Sequence, residues 1–125
     1  MSLDAIGIAC KDIEKSIKFY ELLGINFKEL GNGHFEGTTP SGIRVMLDSF
    51  ELMKKINTNW QEPKQSGITI CFVQSSPQEV DNLYKLITKA GFISEKEPWD
   101  AFWGQRYSSV KDPDGNQIDI FAATK

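Results

Sequence analysis

The segment WGQRYSSVKDPDGNQIDIF, residues 103–121, reads as a strand, a tight turn and a second strand. DPDG is typical of a β-turn, and the residues around it alternate between apolar and polar, as half-buried strands do. The second strand places a carboxylate, Asp119, between Ile118 and Ile120. Because successive side chains of a strand point to opposite faces, we expect the two isoleucines to face a helix and Asp119 to lie on the other face of the sheet. Three roles are open for Asp119: metal ligand, substrate-binding group or solvated side chain.

Size and charge restrict the class of protein. A chain of 125 residues is long enough for one domain with its own core. The formal charge of -3, with lysines and arginines dispersed among acids, gives no basic patch for nucleic acid or anionic lipid. The N-terminal region has an acid at Asp4 and no signal-peptide pattern, and no apolar run is long enough for a membrane helix. We expect a soluble cytoplasmic protein, with Cys10 and Cys71 as buried free thiols.

The first half of the chain contains a recognisable order of elements. Alternating residues 6–10 predict a strand, and Asp12 is a suitable N-cap for the helix that follows. Gly24 ends that helix. Further strands are predicted around residues 25–30, 34–37 and 43–47, with the turn TPSG before the last of them.

The same order returns in the second half. Alternation over residues 68–72 predicts a strand, and Ser76 followed by Pro77 and Glu79 forms a capping box. A helix ending at Gly91 follows, then a strand over residues 92–97, a loop at Pro98 and the hairpin already described. TPSGIRVML begins at residue 39 and DPDGNQIDI at residue 112, so the two hairpins are 112 − 39 = 73 residues apart.

The repetition predicts an α+β fold of two βαβββ modules within one domain, residues 1–125. The first module covers residues 1–48, a linker covers residues 49–66, and the second module covers residues 67–125.

Two segments of the chain resemble a known family. AIGIACKDIEKSIKFYELLG, residues 5–24, is similar to the opening of vicinal oxygen chelate proteins, the superfamily of glyoxalases, bleomycin resistance proteins and extradiol dioxygenases. Residues 103–121 are similar to their closing hairpin, and the WG pair before DPDG resembles the bleomycin-resistance-like branch most. The resemblance implies a curled, cup-shaped mixed sheet with helices outside, and in most members a divalent metal in the cup.

The positions that the resemblance implies for the metal ligands are unsuitable here. They carry Ala5, Met46, Gly67 and Asp119, which together offer one carboxylate and a thioether. His34 is the single histidine and is interpreted as an ordinary surface or loop residue. We therefore expect no metal and no other cofactor.

Strand parity predicts which side chains face the cup. Val45 and Leu47 are apolar and should face the helix, so Arg44 and Met46 of the same strand should face the cup. In the last strand, Phe121 shares a face with Asp119. If DPDG is a four-residue loop, Ser108 lies directly across from Asp119 and Arg106 shares its face. Asp119 is then a ligand-binding group, an ion-pair partner of Arg106 or Arg44, or a general base. The predicted ligand-binding residues combine these positions with aromatic side chains: Phe35, Met46, Trp60, Trp103, Arg106, Ser108, Asp119 and Phe121.

The leading functional hypothesis is metal-independent binding of a small planar or aromatic molecule in the cup, with sequestration of an antibiotic or toxic metabolite as its use. No nucleophile elbow or phosphate loop is present, so we expect a binding protein rather than an enzyme. One alternative is a metal-dependent lyase, isomerase or dioxygenase with atypical ligands such as His34, Glu36 and Asp119. Another is a regulatory or scaffold subunit with a vestigial cup. For the tryptophans themselves a purely structural role is also open, in which Trp103 plugs the end of the barrel and Trp60 covers an interface.

We also expect a homodimer, because paired modules leave sheet edges that a second copy can cover. Trp60 is the candidate to contribute across that interface. A light-scattering mass near that of one chain, 14.1 kDa, would contradict the dimer.

Overall fold

The computed structural model describes residues 1–64 and 67–125, and the chain divides into two compact units, Met1–Lys64 and Gln65–Lys125. The first unit contains β1 (Ala5–Cys10), α1 (Ile13–Leu22), β2 (Lys28–Gly31), β3 (His34–Thr38), β4 (Arg44–Ser49) and α2 (Phe50–Ile56). The second contains β5 (Thr69–Val73), α3 (Pro77–Lys89), β6 (Ile93–Ala101), β7 (Gln105–Lys111) and β8 (Gln117–Ala123). The predicted α+β class and the two βαβββ modules are confirmed.

Each unit has a four-stranded mixed sheet of the same topology. The strand order is β1-β4-β3-β2 in the first sheet and β5-β8-β7-β6 in the second. The first and last strands of each module pair in parallel, and the remaining neighbours pair antiparallel. In each unit one face of the sheet packs on the helix, and we call the other face of the sheet the open face.

The helices begin where their capping residues predict. The Asp12 side chain accepts a hydrogen bond from the backbone N–H of Lys15, and the Ser76 side chain accepts one from Glu79. Both helices end before a glycine with a left-handed backbone, φ 88° at Gly24 and φ 95° at Gly91.

The two hairpins use the same five-residue connection. Lys111 pairs with Gln117, so the second loop covers residues 112–116 rather than the predicted four. Asp112 Oδ1 accepts hydrogen bonds from the backbone N–H groups of Asp114 and Asn116. Because Gly115 takes φ 84°, the turn adds one residue as a bulge. The predicted register is therefore wrong by one residue, and Ser109 rather than Ser108 lies across from Asp119.

Three further expectations need correction. The predicted linker, residues 49–66, contains α2, which Ser49 caps by accepting from the N–H of Leu52; its last two residues lie outside the described part of the chain. Strand β6 continues through Pro98 instead of ending before it, because register shifts on either side of Lys96 leave room for an unpaired proline at a sheet edge. Cys71 is an exposed thiol, whereas Cys10 is buried as expected.

The core of each unit lies between its sheet and its helix. In the first unit Phe19 and Tyr20 of α1 and Leu47 of β4 are almost completely buried. In the second unit Val80 and Ile87 of α3 pack with the strands that carry Ile118 and Ile120, all four with no exposed surface. This packing fixes the parity of β4 and β8, and so determines which side chains reach the open faces.

Candidate functional site

On the open face of the second sheet, a row of side chains runs across neighbouring strands with Asp119 at its centre. Cys71 of β5 lies directly across from Asp119 on one side, and Ser109 of β7 on the other. Tyr107 lies across from Phe121, one row along the same face. The predicted open-face position of Asp119 and Phe121 agrees with this register, because Ile118, Ile120 and Ala122 are buried on the opposite side.

Asp119 is almost enclosed by hydrogen-bond donors. Only 6% of the residue is exposed. Its carboxylate accepts the Tyr107 hydroxyl at 2.6 Å, the Ser109 hydroxyl at 2.7 Å and the Gln117 amide at 3.0 Å. Within residues 1–64 and 67–125 Asp119 forms no ion pair with a cationic side chain. Its carboxylate is stabilised instead by hydrogen bonds from three neutral donors.

Tyr107 connects the carboxylate to the aromatic part of the face. The pKa of Tyr107 is raised above its ordinary value. Burial is the largest cause, the hydrogen bond to Asp119 is the second, and the Cys71 thiol makes a smaller contribution. A phenol is already protonated at neutral pH, and the raised pKa of Tyr107 extends this state to more alkaline pH, where its O–H remains a donor to Asp119.

Five aromatic side chains form what we call the aromatic cluster. Tyr107 stacks on Phe121 at a centroid distance of 5.7 Å and meets the edge of Trp103 at 5.4 Å. Trp103 also makes edge contacts with Trp99 at 5.5 Å and Phe102 at 4.9 Å. Phe102 is 92% exposed and Trp103 48% exposed, so flat apolar surface stands beside the polar row.

The hairpin that carries Trp103 is held by its own hydrogen bonds. Trp103 Nε1 donates to Gln105 Oε1 at 2.7 Å. The carbonyl of Gly104 accepts from both the backbone N–H and the hydroxyl of Thr124. Gly104 itself has φ 89°, which lets the chain turn tightly between β6 and β7.

Two predicted site residues lie on the other side of this sheet. Arg106 donates from Nε and Nη2 to the Asp81 carboxylate on α3, at 3.0 and 3.3 Å. Ser108 is fully buried and donates to the carbonyl of Lys96. Both corrections follow from the one-residue longer loop, which moves even-numbered residues of β7 to the helix side. The predicted ion pair of Asp119 with Arg106 is likewise wrong, because Arg106 lies on the helix side of the sheet and binds Asp81.

The predicted site residues of the first unit are dispersed. Met46 lies on the open face of its sheet, as parity predicts, opposite in orientation to the buried Leu47. Phe35 pairs with Leu47 and therefore points to the helix side, so we remove it from the candidate site. Trp60 packs edge-on against Phe50, at a centroid distance of 5.1 Å.

A chain of charged groups crosses the open face of the first sheet. His34 contacts Asp48 through Nδ1 at 2.5 Å and Glu36 through Nε2 at 2.8 Å. Arg44 donates to Glu36 at 2.7 Å and to Asp4 at 2.6 Å. His34 is therefore part of a polar network on β3 and β4 rather than a loop residue. Alternation of His34, Glu36 and Asp48 with apolar neighbours was the signal available in the sequence.

The network makes the stability of the first unit depend on pH. Hydrogen bonds that His34 donates to the Asp48 carboxylate, and secondly to the Glu36 carboxylate, raise the pKa of His34, so the folded chain holds this proton more tightly than the unfolded chain. The contribution is fully present below about pH 6.5 and is lost as the pH rises through the raised pKa. We expect the stability advantage over His34→Gln to fall by up to about 1 kcal/mol from pH 6 to pH 9. Urea unfolding of both proteins at both pH values measures this, and an unchanged difference would contradict it.

The donor set at the family's metal positions does not fit a metal. Ala5, Met46 and Gly67 present a methyl group, a thioether and a hydrogen, and Asp119 already accepts three hydrogen bonds. Among the described residues, no group of three or more His, Cys, Asp and Glu side chains is arranged to hold a metal ion.

Comparisons with known proteins point to one superfamily. The model of the Glyoxalase/Bleomycin resistance protein/Dioxygenase superfamily matches residues 2–120. An uncharacterized protein of Bacillus subtilis, YraH, is 28% identical over 97% of this chain and 98% of its own. A glyoxalase/bleomycin resistance protein/dioxygenase family enzyme from Burkholderia phytofirmans has a TM-score of 0.82 at 19% identity, with 98% of this chain and 99% of that chain covered. The hypothetical protein SA1046 from S. aureus has a TM-score of 0.83 at 20% identity, with 98% of this chain and 93% of that chain covered.

No helix in the described part of the chain has both the length and the apolar character that crossing a membrane requires.

Proposed function

Since the chain belongs to the Glyoxalase/Bleomycin resistance protein/Dioxygenase superfamily, we propose that it binds a small planar or aromatic organic molecule without a metal ion. The observation that carries this proposal is the aromatic cluster beside the buried Asp119 carboxylate, on one open sheet face. Exposed aromatic faces stack on flat ligands with little loss of rotamer entropy, and a few polar groups at one end fix orientation.

The polar end supports binding more than catalysis. Both oxygens of Asp119 accept hydrogen bonds from side chains of the same face, so the carboxylate is engaged before any substrate arrives. A general base needs an accessible oxygen within hydrogen-bond reach of the substrate proton. Binding without turnover is compatible with sequestration of an antibiotic or a toxic metabolite, and this is the use that we propose for the site.

Metal-dependent lyase, isomerase or dioxygenase chemistry has less support. Both ring nitrogens of His34 already contact carboxylates, and the family's ligand positions supply only a thioether and the Asp119 carboxylate, which already accepts three hydrogen bonds. Elemental analysis of protein purified without chelator separates the two proposals, because near-stoichiometric Ni, Zn, Mn or Fe would favour the metalloenzyme. The predicted homodimer and cytoplasmic location stay predictions.

Replacing Trp103 tests the binding proposal. We expect titration of flat amphipathic compounds to quench tryptophan fluorescence, and Trp103→Leu to weaken binding of the best compound by at least about tenfold. Trp60→Leu is the matched control, because Trp60 packs on Phe50 in the other unit and leaves the aromatic cluster intact. Calorimetry measures both affinities without depending on the missing fluorophore.

Two results would count against the proposal. One is the absence of binding across a broad panel of flat compounds, which would favour a scaffold or regulatory role. The other is equal loss of affinity in the two tryptophan variants.

A further inference from the structure

Two irregularities in strand β6 determine which of its side chains reach the open face of the second sheet. Ser94 pairs with Val110, on the helix side. The next pair along the strand is Lys96 with Ser109, so Glu95 has no partner in the ladder. With regular antiparallel pairing, Glu95 would lie across from Ser109 and Lys96 would point to the helix side. The first bulge therefore puts a base on the open face in the place of an acid.

The second bulge brings an aromatic ring to the same face. Regular pairing after Lys96 would put Pro98 across from Tyr107, but Trp99 occupies that position. The Lys96 ammonium consequently lies over the Trp99 ring, 4.9 Å from its centroid. Bulges beside a site re-aim side chains, and these two place a cation at the edge of the aromatic cluster, in the same row as Asp119.

The charges on this face differ in how much of each is left for a ligand. Asp119 is only 6% exposed and its carboxylate already accepts three hydrogen bonds. Lys111 of β7 is paired with Glu95 at 3.7 Å. Lys96 is exposed, and within residues 1–64 and 67–125 it forms no ion pair, so its ammonium keeps its N–H donors for a partner. The accessible charge beside the aromatic cluster is therefore positive.

We infer that the ligand is a planar molecule with an anionic group, such as an aromatic carboxylate, and that Lys96 is the residue that selects for this group. The inference rests on the proposed function and specifies its ligand class. The rings of such a molecule would stack on the aromatic cluster, and its carboxylate would accept from the Lys96 ammonium. Because Lys96 is exposed, we expect a preference of a few-fold, as for other solvated ion pairs.

A matched pair of probes tests the inference. 2-Naphthoate and 2-naphthamide share a ring system and a planar acceptor group, but only the carboxylic acid, with a pKa of about 4, is charged at neutral pH. We expect calorimetry at low ionic strength to give about three- to fivefold tighter binding for 2-naphthoate, and about 1 M salt to remove the difference. The net charge of the chain is -3, which repels anions, so this preference requires a local cation.

Three variants identify the source of the preference. Lys96→Gln removes the cation and should leave the two probes within about 1.5-fold of each other. Lys85→Gln makes the same change in net charge at an exposed residue of α3, on the other side of the sheet, and should keep the full preference. The exchange Glu95→Lys with Lys96→Glu conserves composition and net charge but puts an acid across from Ser109, so 2-naphthamide should become the tighter ligand.

The ratio of the two affinities is the quantity to compare, because a general loss of ring packing weakens both probes alike. Equal binding of the probes, tighter binding of 2-naphthamide by the unmodified protein, or an unchanged ratio in Lys96→Gln would overturn the anionic ligand class while leaving a binding protein. Equal loss of the preference in Lys85→Gln would do the same, since it would trace the effect to net charge. Failure of both probes and of a wider panel of flat compounds to bind would overturn the proposed function as well.

Discussion

The Gly37→Ala substitution is expected to lower the free energy of unfolding by about 3 kcal/mol, at the upper end of the range for overpacking. Gly37 is the fourth of the five residues of β3, and residues 25 and 26 pass close to it. A Cβ atom at position 37 would stand 2.6 Å from both the carbonyl oxygen of Asn26 and Cγ2 of Ile25. Ile25 is fully buried, so neither the backbone nor this side chain can move away without disturbing the core.

Urea unfolding followed by circular dichroism measures this effect. Gly67→Ala is the matched control, because a Cβ atom there meets nothing within 4 Å, and it should change stability by less than about 0.5 kcal/mol. If Gly37→Ala unfolds at the same urea concentration as the unmodified protein, the tight packing of β3 against residues 25–26 is wrong.

Asp119→Ala is expected to lower the free energy of unfolding by about 3 kcal/mol as well. The substitution removes the acceptor of three donors at once. The Ser109 hydroxyl suffers most, because Ser109 is only 6% exposed and water cannot easily replace the carboxylate. Removing one partner of a buried hydrogen bond is more harmful than the net value of that bond suggests, since the remaining group stays desolvated.

Asp100→Ala provides the comparison for this second effect. The Asp100 side chain is 74% exposed and accepts a hydrogen bond from Arg106, which keeps its two bonds to Asp81. We expect a change below about 0.5 kcal/mol from chemical denaturation of this variant. Equal destabilisation by the two alanine substitutions would mean that the Asp119 cluster contributes nothing beyond an ordinary surface acid.

Much of the fold could be predicted because its signals are local. The caps at Asp12 and Ser76 and the glycine ends at residues 24 and 91 depend on a few adjacent residues. The repeated hairpins also agree with the structure, where Lys111 and Gln117 each lie 73 positions after Thr38 and Arg44. Parity then placed Asp119 on the correct face, because buried isoleucines flank it.

The neighbours of Asp119 depended on a detail that the residue types alone did not determine. Both a four-residue and a five-residue loop suit DPDGN, and the second occurs because Asp112 accepts from the N–H of Asn116 as well as that of Asp114. Because of the additional loop residue, the open face carries Tyr107 and Ser109 instead of the predicted Arg106 and Ser108. The same limit applies to Phe35, whose side was unknown until its pairing with Leu47 was observed.

Helix α2 and the His34 network were missed for different reasons. Seven residues give too short an apolar pattern for a helix to be distinguished from a linker, although Ser49 is a recognisable N-cap. His34 and Asp48 are separated by a turn and become neighbours only through the register of β3 and β4. The alternation within each strand indicates that these residues share a face, but which of them contact each other follows from tertiary pairing.

The double hydrogen bond from Thr124 to the Gly104 carbonyl has a consequence for the kinetics and entropy of recognition. A loop whose shape is set by its own chain is preorganised, so a guest need not fold it into place. Association should then approach the rate of rigid partners, and the loss of conformational entropy should be small. Such a site is selective because its loop does not adapt to a ligand, so molecules of the wrong shape are excluded.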